Sequence, residues 1–150
     1  MKPRTQARAL ALEILYEVDL ANHDPNQILE QRYSEIPVGA DYYSFAAQVV
    51  LGVYSSKAQL DMVIARFAPE WPIDEISPID RNILRIALWE ISIAHCTPLR
   101  VAINEAVELS KIYGSDSSPR FVNGVLGSIV DQLPEWASGQ AEPLSNTTSA

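Results

Sequence analysis

The first twelve residues hold three cations, Lys2, Arg4 and Arg8, and no acid. On a helical wheel Arg4, Arg8, Leu12 and Tyr16 climb one edge, each about 40° beyond the last, while Glu13 and Glu17 occupy another sector. Three cations beside an exposed aromatic ring could grip phosphates and stack one base, the usual mode for single-stranded RNA. The alternative is a solvated, frayed terminus with a half-buried tyrosine. A second segment, Ser115-Asp116-Ser117-Ser118-Pro119-Arg120-Phe121, is a polar loop running into a helix start. Backbone N–H groups there favour phosphate, and Arg120 and Phe121 add a charge and a ring. The plainer reading of this segment is a capped helix with Phe121 in the core.

Other reactive residue types do not assemble into a catalytic pattern. His95 and Cys96 are adjacent, so on one helix their side chains diverge by about 100° and make a poor thiolate–imidazole pair. The phosphate-binding, dinucleotide-binding and nucleophile-elbow glycine motifs are absent from the sequence. Gly124 and Gly127 lie within an apolar run and read as close helix contacts. The acid pair Asp74-Glu75 has nothing that marks it as a general acid and base. One cysteine and two histidines support neither an internal disulfide framework nor an ordinary zinc site. The expectation is a protein that is not an enzyme and uses no metal or cofactor.

The elements that must position these residues are helices. Ala7, Leu10, Ala11, Ile14, Leu15 and Val18 trace one stripe of a first helix. Asp24-Pro25 opens a second, which runs to about Ile36 before Pro37 and Gly39. Asp41 can cap a third carrying Phe45, Val49 and Val53, and Ser55-Ser56 divides it from a fourth with Leu60, Val63, Ile64 and Phe67. Pro69 and Pro72 close that segment. Ser77-Pro78 is an N-cap followed by proline at the first helical position, and it opens a fifth helix. Pro98 and Gly114 bracket a sixth, and Ser118-Pro119 repeats the cap signal for a seventh. No stretch alternates with period two, so the body is all-α. Residues 134–150 are small, polar and aperiodic, and are expected to form a disordered tail behind a single domain over 1–133.

The net charge of −8 argues at first against nucleic acid. It hides an asymmetry, because residues 1–12 carry +3 and the remaining chain, with eight bases and all 19 acids, carries −11. An apolar share of 47% supports a real core. The start, MKPRTQARALALEIL, lacks an uninterrupted apolar stretch before Glu13 and makes a poor signal peptide. The longest uncharged run, residues 42–56, is too short and too polar to span a bilayer. These features point to a cytoplasmic protein without a membrane partner.

Several strings then become recognisable. Arg8 with Leu10, Ala11 and Ile14-Leu15-Tyr16, DRNILRIALWEI from Asp80, PLRVAINEAVELSKIYG from Pro98 and RFVNGVL from Arg120 stand in sequence order. Together they resemble the NusB family of bacterial transcription antitermination factors, over residues 4 to about 133. The resemblance implies about seven helices in two small packed bundles. It implies binding of the boxA element of nascent ribosomal RNA together with NusE, a small-subunit ribosomal protein, within an antitermination complex on RNA polymerase. Carried over, Lys2, Arg4 and Arg8 would be phosphate contacts, and Tyr16, Ser117, Ser118, Arg120 and Phe121 would line the RNA groove. Two departures stand out: the N-terminus has fewer arginines than the densest members, and Ser117 replaces an acid found in some.

The resemblance also gives the acidic body a use. Asp74, Glu75 and Asp80 flank the fifth helix where the family presents a surface to its generally basic ribosomal partner, and opposite charge speeds such association. Acids at a helix N-terminus also stabilise it without any partner. Asn104, Glu105 and Asn123 are expected to satisfy backbone groups where the sixth and seventh helices meet. Arg81 and Arg85 share one side of the fifth helix, and Arg85 could reach RNA, Glu90 or a neighbouring helix. Competing readings are a free-standing relative of the RNA-binding domain of ribosomal-RNA cytosine methyltransferases, and a structural homodimeric scaffold.

Overall fold

The structure, a computed structural model, describes residues 2–132; the expected tail lies outside them. Among these residues the chain forms six α-helices and no strand: α1 (Pro3–Ala21), α2 (Pro25–Tyr33), α3 (Tyr43–Phe67), α4 (Pro78–Leu88), α5 (Leu99–Tyr113) and α6 (Ser118–Gln132). A 3-10 turn, Ile73–Glu75, precedes α4, and a π-helical turn, Trp89–Ile93, extends its C-terminal end. Helices α1–α3 form one packed group and α4–α6 the other, with α4 lying against both α1 and α3. The apolar stripe of α1 is buried as its spacing requires, and it meets Ile83, Leu84, Ile86 and Leu88 of α4 in one continuous core.

The helix starts follow their sequence signals where a side chain can act as a cap. The Asp24 carboxylate accepts from the Asn26 N–H at 3.0 Å, and Ser77 Oγ accepts from the Asp80 N–H at 3.1 Å. Asp41 does not cap α3, which begins behind Tyr42 without a side-chain cap bond. The expected division at Ser55-Ser56 is absent, so the third and fourth expected helices are one of 25 residues. Ser55 Oγ donates back to the Gly52 carbonyl at 3.2 Å, a bond that lets serine sit inside a helix without ending it.

Gly52 also fixes how α3 meets the π turn. A Cβ at this position would come within 2.2 Å of the Trp89 ring, so only glycine allows the indole to lie against the α3 backbone. Behind that contact, the π turn swings Glu90 inward, where it is 1% exposed.

Candidate nucleic-acid interface

Arg8 does not belong to the exposed cationic edge. It is 4% exposed. Its Nε donates to Glu90 Oε2 at 2.8 Å and its Nη2 to Glu90 Oε1 at 2.7 Å, a bidentate pair. Nη1 donates to Glu105 Oε1 at 2.9 Å, and Thr5 and Thr97 complete the network through the same two carboxylates. Burial works against the charge of Arg8, but the bond and charge of Glu90, then the charge of Glu105, outweigh it and hold its pKa above the ordinary arginine value. The phosphate contact expected at Arg8 is therefore replaced by an internal clamp tying α1 to α5 and the π turn. Glu105 joins α5 to α1 rather than to α6, and Asn104 and Asn123 are exposed rather than engaged where α5 meets α6.

Lys2 and Arg4 remain exposed at the start of α1. The Arg4 guanidinium lies over the Phe45 ring, 3.8 Å from its centroid, so its charge is presented on a fixed plane. Beside it opens a cleft of about 300 Å³ lined by Pro3, Asp41, Tyr42, Ser44 and Gln48.

The other expected contacts gather at the opposite end of α1. Tyr16 is twelve residues beyond Arg4, about 18 Å along the helix, and lines a mainly apolar groove of about 470 Å³ with Leu12, Leu20, Ile79 and Tyr113. The reason lies in α5, which runs beside α1 in the same direction. Glu105 meets Thr5 and Arg8, and eight residues later the Tyr113 hydroxyl donates to Glu13 Oε2 at 2.8 Å. Burial, then the bond to Glu13, pushes the Tyr113 hydroxyl up to about 12. The loop after Tyr113 is thus carried away from Lys2 and Arg4.

That loop delivers Ser117, Arg120 and Phe121 to a third cleft, of about 390 Å³, shared with Trp71, Glu75, Ile76, Ser77 and Asp80. Ser117 and Arg120 are exposed and Phe121 is half-buried. Ser118 is not available as an RNA contact, being 1% exposed. Its Oγ accepts from the Ser115 N–H at 2.9 Å, which holds the loop in shape. A Cβ on Gly114 would come within 2.4 Å of that oxygen, so the tight turn depends on glycine.

The acidic residues divide as well. Asp74 and Glu75 are exposed on the 3-10 turn. Asp80 is 8% exposed and cannot serve as an open docking residue. It lines the same cleft as Arg120 and Phe121, and its Oδ1 is buried without a hydrogen-bond partner. Trp71, 51% exposed, is the cleft residue that sequence reasoning passed over. Its signal was a large aromatic ring between Pro69 and Pro72, in a connector too short to bury it.

The remaining arginines of α4 are structural. Arg85 donates through Nε and Nη2 to the two carboxylate oxygens of Asp61, at 2.7 and 2.9 Å, so it pairs with α3 rather than with RNA or Glu90. Arg81 donates to Asp19 Oδ2 at 2.7 Å. Burial would raise the Asp19 pKa, but the bonds from Arg81 and Asn82 and the nearby charge of Arg85 outweigh it and hold the carboxyl below its ordinary value. Among the described residues no group of three or more His, Cys, Asp or Glu could hold a metal ion, and no helix is long and apolar enough to cross a membrane.

The pattern that describes the NusB family matches residues 5–131. The chain belongs to the NusB family. Proteins named transcription antitermination protein NusB are similar along nearly their whole length. That of Roseiflexus castenholzii is 44% identical over 138 residues, 91% of this chain and 97% of its own. That of Dehalococcoides mccartyi is 41% identical over 139 residues, 93% and 97% of the two chains. Among solved structures, NusB of T. maritima superposes with a TM-score of 0.76 at 28% identity, covering 97% of each chain. A chain from a complex of antitermination factors NusB and NusE with double-stranded RNA gives 0.78 at 26% identity, covering 88% of this chain and 98% of that one.

Proposed function

We propose that this NusB-family chain is a non-enzymatic adaptor of transcription antitermination. It binds boxA-type single-stranded RNA of nascent ribosomal transcripts together with the ribosomal protein NusE, and joins the RNA polymerase antitermination complex in the cytoplasm. The observation that carries this reading is the distribution of exposed cations and rings in an acidic body. Lys2 and Arg4, the latter stacked on Phe45, stand at one end of α1, and Arg120 and Phe121 at the other. Two such poles suit an extended strand, with phosphates held by cations and bases by rings.

The ribosomal partner would dock on the exposed Asp74 and Glu75 and on the apolar groove that Leu20 and Ile79 share with Tyr16, the ring expected to meet RNA. Acidic charge steers a basic protein, and the groove supplies apolar area that charge alone lacks. RNA affinity measured with and without NusE tests this. A shared surface makes the ternary complex tighter than either binary one, by the same factor whichever partner is added second. RNA affinity unchanged by saturating NusE would contradict the adaptor role.

A further inference from the structure

We propose that the solvent face of α3 is a second protein-docking surface, suited to an acidic amphipathic helix of a partner protein. It stands independently of the RNA reading. Leu51, Tyr54, Ala58, Met62 and Ala65 are all exposed, and their spacing places them in one line along the helix. Among the described residues nine large apolar side chains are exposed, and three of them share this line: Leu51 at 39%, Tyr54 at 47% and Met62 at 73%. Single exposed apolar residues are ordinary, whereas an aligned set marks a contact surface. Ser55 stands in the same line, and its hydroxyl proton is engaged by the Gly52 carbonyl at 3.2 Å. Ala58 and Ala65, between the larger side chains, let another helix approach closely with its own large residues over them. This is the spacing at which one amphipathic helix is read by another surface.

Charge selects the occupant. The α3 sequence holds three charged residues, Lys57, Asp61 and Arg66. Asp61 is bound at both carboxylate oxygens by Arg85, at 2.7 and 2.9 Å, so its charge is met inside the fold. Lys57 and Arg66 are exposed. At about 100° per residue, Lys57 lies about 100° to one side of Ala58 and Arg66 about 80° to the other, so a cation borders each edge of the apolar line. The Arg66 guanidinium lies over the Phe67 ring, 5.4 Å from its centroid, which holds it at that edge. An apolar seam between two cations, in a chain of net charge −8, complements a helix with one apolar face and Glu or Asp on both flanks. A second copy of this chain fits poorly, because two acidic bodies repel. The strip is also only about 21 Å long and one helix wide, short of the ~800 Å² per partner usual in stable complexes. RNA fits poorly too, since two cations about 14 Å apart along the helix leave the phosphates between them unmatched. The adaptor then offers protein partners two faces of opposite sign, acidic at Asp74 and Glu75 and cationic along α3.

The test selects displayed helical peptides on the full chain from two pools. Both pools vary apolar residues along one seam, and the flanks are fixed as Glu in one pool and Lys in the other. The Glu-flanked pool should yield binders of about micromolar Kd, as a contact of this size allows. Met62→Glu should weaken them at least tenfold, and Lys57→Glu with Arg66→Glu should reverse the preference to the Lys-flanked pool. Both variants change exposed side chains, and unchanged urea midpoints would confirm that they fold. Equal enrichment of the two pools, no binder from either, or affinity untouched by Met62→Glu would overturn the proposal. Three other occupants would also overturn it. A wild-type dimer in sedimentation that Met62→Glu dissociates gives the face to a second copy. Loss of NusE binding in Met62→Glu gives it to the basic partner. A tenfold loss of boxA-type RNA affinity in Lys57→Glu with Arg66→Glu gives it to RNA.

Discussion

Arg8 and Arg4 are one helical turn apart and do opposite things. Arg4 keeps its charge at the surface on the Phe45 ring, whereas Arg8 spends four hydrogen bonds inside the protein, on Glu90, Glu105 and Thr97. Removing one partner of a buried ion pair strands the other charge, at a cost of about 3–5 kcal/mol. Arg8→Ala should therefore lower unfolding free energy in urea by about that amount, and Arg4→Ala by less than about 1 kcal/mol. Near-equal effects would contradict the clamp. The wheel could not reveal this difference, because the carboxylates that draw Arg8 inward lie 82 and 97 residues away in sequence. Position on a wheel reports an angle, and burial depends on what packs there. Leu12, on the same edge, is also fully buried, while Arg4 beyond the end of that contact is exposed.

At the scale of elements, the starts of α2 and α4 were legible because Asp24-Pro25 and Ser77-Pro78 combine a side-chain cap with a proline that needs no N–H partner. The continuity of α3 was not, since Ser55 can either end a helix or bond back within it, and only the packed helix decides. The π turn that aims Glu90 has no local signal at all. Between elements, Asp19 of α1 binds Arg81, Asn82 and Arg85 of α4. Because its folded pKa is depressed, its contribution is full above the unfolded value of 3.8 and fades as pH falls through the folded value. Urea midpoints of wild type and Asp19→Asn should differ by a constant amount at neutral and mildly acidic pH. The difference should shrink below about pH 4. A gap that persists unchanged into strong acid would show that the α1–α4 link does not depend on this charge.

Across the whole molecule, the division of charge seen in the sequence becomes a division in space, but along a different line. The expected RNA edge is two poles at the ends of α1, because α5 runs parallel to α1 and carries the Ser115–Phe121 loop to the far end. The strings beginning at Asp80, Pro98 and Arg120 identified the family, yet their order could not show that Asp80 and Arg120 line one cleft while Arg4 stands apart. With Arg8 internal, the expected phosphate contacts that remain exposed are Lys2, Arg4 and Arg120. The most direct test of an RNA track spanning both poles is the salt dependence of boxA-type RNA affinity. Three phosphate contacts on a single strand give a slope of log K against log salt near −2.1, at about −0.7 per contact. Arg4→Ala and Arg120→Ala, at opposite ends, should each flatten it by about 0.7. A slope near zero, or one that neither substitution changes, would contradict the account.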